Sequence, residues 1–148
     1  MQAVIESKLP APALCISVSP CTDFSFSGAS WTEQKDTELW MSQEEAQWFF
    51  EQCVGGKSNA QQLKTSNMNL LNGTFKGYPP TWVCTGGFEI LKSDAELIAA
   101  AAKKDGVDIT LRVAPNMSHN YQNFITLFPE AQAEMNKCVT WANKYLKA

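Results

Sequence analysis

The chain has 148 residues, 45% of them hydrophobic and 18% charged, with a formal net charge of −3. Such a mixture suits a folded domain with a real core and excludes a disordered chain. The acidic balance argues against a general nucleic-acid binder, which presents a basic face. No stretch approaches the ~18 apolar residues of a membrane span.

The first predicted element is a strand at about 13–19, mostly apolar, with Pro12 before it and Pro20 after it. A run apolar on both faces suits a strand buried within a parallel sheet. Residues 20–41 read as irregular. Ser42 and Glu45 form a capping box that opens a helix over about 42–53, and Gly55-Gly56 ends it. Ala46, Phe49, Phe50 and Cys53 form its apolar stripe. Residues 57–80 are polar, with little periodicity. Gly55-Gly56-Lys57-Ser58 is no phosphate loop, because Glu51 stands where an earlier glycine is required.

A second strand follows at about 81–85, stopped by Gly86-Gly87. Ser93 and Glu96 suggest another capping box for a helix over about 94–104, ended by Gly106. The third strand covers about 108–113. The last helix covers about 129–146, with Ala131, Met135, Cys138, Ala142 and Tyr145 as its apolar stripe and Lys144 and Lys147 near its end. The second half thus reads β-α-β-α, a crossover unit of a parallel α/β sheet with a closing helix.

Five cysteines are scattered with no C-x-x-C pair, and the chain has one histidine. Neither a zinc site nor a disulfide framework is expected. The cysteines read as small buried hydrophobes in a reducing compartment, so a cytoplasmic location is expected. No cofactor or metal is expected.

The chemistry concentrates in two loops. Glu89 follows the second strand and His119 follows the third. If those strands are parallel neighbours, both loops open at one sheet edge. An imidazole takes a proton near neutral pH, and a carboxylate behind it fixes its tautomer.

The segment from Pro79 through Gly86-Gly87-Phe88-Glu89 to Asp94 resembles the acid-bearing segment of the hormone-sensitive-lipase-like α/β-hydrolases. Pro115-Asn116-Met117-Ser118-His119-Asn120-Tyr121 is similar to that family's histidine loop, P-G-M-x-H-x-F. Ser19-Pro20-Cys21-Thr22-Asp23 resembles the S-P-x-x-D that ends one of its strands. This resemblance implies the C-terminal portion of an α/β-hydrolase fold as a single partial domain over 1–148. Glu89 would be the triad acid and His119 the general base, with Asp94 as the fallback acid. Asp94 is expected mainly at its helix start, and Asp23 as a turn-bonding residue.

Residues 24–76 would be an insertion contributing to a cap, with Phe24, Phe26, Trp31, Trp40, Trp48, Phe49 and Phe50 lining it. The expected reaction is carboxylic ester hydrolysis, and the expected partner is a small ester. No G-x-S-x-G or H-G-G-G occurs in these residues, so the nucleophile and oxyanion loop are expected from outside them. The chain is then expected to be a fragment that self-associates through an open strand edge. The competing expectation is a hydrolase-derived binding domain without chemistry.

Overall fold

A computed structural model describes residues 1–66 and 68–146. In chain order the elements are α1 (Gln2–Glu6), β1 (Cys15–Val18), α2 (Ser30–Glu33), α3 (Gln43–Cys53) and α4 (Lys57–Leu63), then β2 (Thr81–Gly86), α5 (Lys92–Lys104), β3 (Ile109–Ala114) and α6 (Pro129–Leu146). Two short 3-10 turns cover Leu70–Asn72 and Tyr121–Phe124. Lys147, expected near the end of the last helix, lies outside the described residues.

The strands form one parallel sheet in the order β1-β2-β3. The central strand β2 is buried along its whole length, and its side chains alternate between two faces. Val83 packs with Phe75, Ala95, Ile98, Ala102 and Val107 on the α5 side. Trp82 and Cys84 pack with Cys138, Trp141 and Ala142 of α6 on the other. The rings of Trp82 and Trp141 lie 5.6 Å apart. A third cluster joins Trp31 of α2 to Ile90 and Leu91, just after Glu89. Each fully buried side chain of this size contributes about 1.5–3 kcal/mol.

All three expected strands and all three expected longer helices form. The capping box at Ser42 and Glu45 is present, and α3 ends into Gly55 at φ 82. The second expected box is absent. α5 begins two residues earlier, at Lys92, without a side-chain cap. Ser93 instead turns into the core, where its Oγ accepts from Ser30 N at 2.8 Å while Ser93 N donates to Ser30 Oγ at 2.9 Å. A buried partner outbids a solvent-exposed cap.

Other expectations are corrected in detail. β1 lies at the sheet edge, and Ile16 is 48% exposed rather than buried. Among the described residues no strand pairs with its outer side. The stretches read as irregular hold α2 and α4. On α3 the expected apolar stripe stays largely open, with Phe49 65% exposed, and Glu51 is the residue that helix buries. On α6 the buried face includes Glu134 and Trp141, while Met135 and Tyr145 are only half-buried. Glu134 enters the core because it pairs with Arg112, Nε to Oε1 at 3.1 Å. Cys84 and Cys138 are buried, but Cys21 and Cys53 are exposed.

Trp141→Ala removes the aromatic contact on Trp82 and leaves a void under β2. Urea unfolding should show a loss of about 3 kcal/mol. A loss under ~1 kcal/mol would mean that α6 does not close this face.

Candidate active site

Parallel pairing sets β2 and β3 in register, with Gly86 opposite Ala114. Both strands therefore end at the same level, and their following loops leave side by side. Backbone bonds fasten one loop to the other. Gly87 N donates to Ala114 O at 2.8 Å, and Phe88 N donates to Met117 O at 3.0 Å. Gly86 is required for this approach. A methyl group built on it would collide with backbone oxygens of Met117 and Ser118, lying 2.6 Å from the latter.

Glu89 is completely buried, and its two oxygens have separate duties. Oε1 accepts from Ser19 Oγ at 2.9 Å, from Gly86 N at 2.7 Å and from Thr85 Oγ1. Oε2 is left for His119, whose Nδ1 lies 2.7 Å away. Asn120 Nδ2 lies 2.7 Å from His119 Nε2. An amide N–H donates, so Nε2 accepts and the ring proton sits on Nδ1, facing the carboxylate. The structure thus brings Glu89 and His119 together.

Asn116 and Asn120 carry the histidine loop through φ values of 60° and 54°. Asn tolerates this left-handed region better than other side chains except glycine. That explains how Asn116 can stand where the resembling motif has Gly.

Asp94 does not approach the imidazole through any hydrogen bond. Its Oδ2 accepts from Thr22 N at 2.7 Å and Asp23 N at 2.9 Å, and its Oδ1 from Trp31 Nε1 at 3.3 Å. It stands in the first turn of α5, as expected, but fully buried. Desolvation outweighs those bonds and, with the charge of Asp23 adding to it, pushes Asp94 up to about 6. Asp23 is a turn-bonding residue, accepting from Ser25 N, Ser27 N, Ser27 Oγ and Asn69 Nδ2. Burial raises it, but those bonds prevail and hold it below the usual carboxylate range.

A cavity of about 640 Å³ opens beside His119. Its walls include Phe24, Trp40, Trp48, Phe49 and Phe50, whereas Phe26 and Trp31 pack into the third cluster instead. Cys21 reaches the same cavity. Part of Cys21 remains exposed, but its thiol is turned toward the buried carboxylates, and desolvation there, then the charges of Asp94 and Asp23, push it up to about 12.

Ser19, Thr85 and Asn120 are polar partners of the dyad that the sequence reading did not assign. Ser19 carried a signal: it is a hydroxyl at the C-terminal end of a mostly apolar strand, the edge where both loops open.

A model of the alpha/beta hydrolase fold family matches residues 1–123. An acetyl-hydrolase from Streptomyces hygroscopicus is 27% identical over 132 residues, which cover 89% of this chain and 43% of that protein. The crystal structure of an esterase from the bacterial hormone-sensitive lipase family superimposes with a TM-score of 0.89 at 28% identity, over 97% of this chain and 47% of the other. A hormone-sensitive lipase from a metagenome library gives 0.88 over 99% and 49%, at 22% identity, a likeness of fold. The chain spans about half the length of the relatives it matches.

Gly86→Ala should force the two loops apart. We expect a loss of about 1–3 kcal/mol in urea unfolding. It should be accompanied by a weakened Glu89–His119 contact, read from the ring-nitrogen resonances of the one histidine. A variant as stable as the parent would refute the tight approach.

Asp94 makes a pH-dependent contribution. Its folded value of about 6 exceeds its unfolded value of ~3.9, so between them the folded state binds more protons. That contribution is complete below the unfolded value and disappears as pH rises through the folded one. Compared with Asp94→Asn, the parent should lose roughly 2–3 kcal/mol between pH 4 and 7. Parallel stability-versus-pH curves for the two proteins would contradict this.

Proposed function

This chain belongs to the α/β-hydrolase fold family, and from that premise we propose that it supplies the acid and base of a serine carboxylic ester hydrolase. Glu89 is the acid, His119 is the general base, and the nucleophilic serine comes from outside these 148 residues. The observation that carries the reading is the 2.7 Å contact between Glu89 Oε2 and His119 Nδ1, at the wall of an apolar cavity.

The chemistry follows from the tautomer. His119 Nε2 takes the proton of the serine hydroxyl as its oxygen attacks the ester carbonyl. The resulting imidazolium is stabilised by Glu89, which keeps the Nδ1 proton in place. The ring then gives its Nε2 proton to the departing alkoxide. Water repeats the sequence to release the acid. The amide of Asn120 must withdraw from Nε2 before the serine approaches. Donors for the oxyanion come with the serine segment.

Residues 24–76 contribute a cap in this reading, because their aromatic side chains wall the cavity beside the imidazole. A small ester with an apolar acyl or alcohol group suits such walls. The free edge of β1 is the place where further strands add, and it makes the chain prone to associate with itself. A second reading, a binding domain without turnover, is favoured by the apolar cavity, which holds a ligand whether or not a serine is supplied.

A chimera decides between them. The N-terminal half of the Streptomyces acetyl-hydrolase is fused ahead of residue 1 and assayed with p-nitrophenyl acetate. We expect turnover that falls about 10²–10⁴-fold in His119→Ala and in Glu89→Gln. The 148 residues alone should hydrolyse no faster than their His119→Ala variant. A folded chimera without turnover would leave the binding reading in possession.

A further inference from the structure

Ser19 has a position that ordinary hydroxyl satisfaction does not require. It is 5% exposed and stands where β1 ends. Its backbone N continues the ladder by donating to Cys84 O at 2.8 Å. Its φ is 42°, in the left-handed region, directly before Pro20. A residue before proline prefers extended backbone, so this conformation is held by its surroundings.

A buried hydroxyl needs one partner. Ser19 has two, in two different loops. Its Oγ donates to Glu89 Oε1 at 2.9 Å and accepts from Asn120 N at 3.2 Å. Thr85 and Gly86 also bond Oε1, but both belong to the strand that carries Glu89. Neither of those two bonds reaches the histidine loop. The Ser19 hydroxyl proton holds the carboxylate, and a lone pair on the same oxygen holds the residue after His119.

We propose that Ser19 is a positioning residue: its hydroxyl ties the Glu89 carboxylate to the histidine loop and fixes which carboxylate oxygen meets the imidazole. This rests on the Glu89–His119 assignment made above. Without the hydroxyl, Oε1 keeps two donors, both from the end of β2, and the carboxylate is held less tightly against turning. Asn120 N loses its acceptor, so the loop next to the imidazole loosens as well. The consequence is a weaker preference for the proton on Nδ1.

The chain has one histidine, so labelling with ¹⁵N-histidine reports on His119 alone. Nitrogen spectra give the tautomer ratio in solution, or by magic-angle spinning if the chain associates. Four full-length chains are compared: the parent, Ser19→Ala, Ser19→Gly and Glu89→Gln. Ala keeps the Cβ and Gly relieves the positive φ, but both remove the hydroxyl. In both we expect the Nε2–H share to rise about fivefold, the population change of one ordinary hydrogen bond, with circular dichroism unchanged.

An unchanged tautomer ratio in both Ser19 variants, with a change in Glu89→Gln, would overturn the proposal and leave the dyad standing. No change in Glu89→Gln either would remove the dyad itself, and the positioning role with it. An effect in Ala that Gly abolishes would assign the role to backbone strain, against the proposal. Loss of fold in both Ser19 variants would make the residue structural, which also overturns it.

Discussion

The constraint on which this molecule depends is the parallel register of β2 and β3. Placing Gly86 opposite Ala114 puts two chain exits side by side. Parallel pairing makes a crossover obligatory, and α5 supplies it. The thirty-position separation of Glu89 and His119 is thereby reduced to one hydrogen bond. Antiparallel pairing would have sent the two loops to opposite ends of the sheet. The glycine at the end of β2 then lets the loops touch through their backbones, so the side chains start from fixed positions.

Legibility in the sequence followed the strength of local signals. β2 and β3 were readable because apolar runs met glycine and proline punctuation. Glu89 and His119 were readable because each follows such a run. The helix start at Ser93 was misread for a physical reason. A capping pattern scores only local bonds, and Ser93 found a better partner in Ser30, 63 residues away. The stripe on α3 is apolar as its spacing indicates, and its rings face the cavity. Periodicity reports that a face is apolar, not what lies against it, and here that helix helps to wall a cavity. Trp141 and Glu134 on α6 escaped because a buried ion pair and an aromatic contact across the sheet have no sequence spacing.

Three carboxylates are buried near the ends of these strands: Asp23, Glu89 and Asp94. Their hydrogen bonds come mainly from backbone N–H groups and neutral side chains, apart from the imidazole on Glu89. Neutral donors fix orientation without adding a competing charge. The outcome differs between sites. Asp94, with three donors and deep burial, is pushed up, because desolvation exceeds what those bonds return. Asp23 has more donors, two of them backbone amides of its own turn, and ends below the usual range. Together they clamp the loop after β1, which brings Cys21 and Phe24 to the cavity wall.

It follows that orienting an imidazole and attacking a carbonyl are separable tasks in this fold. The first needs three parallel strands, two loops and a handful of hydroxyl and amide donors, all of them within these residues. The second needs a nucleophile and donors aimed at a developing oxyanion, which in an α/β-hydrolase fold stand on a separate strand–turn–helix junction. The contact with Glu89 holds the imidazole of His119 in one tautomer. In this arrangement the amide of Asn120 occupies the acceptor nitrogen at the cavity wall. The interaction is neutral and local. The geometry of the dyad is thus set by the sheet, independently of whatever completes the site.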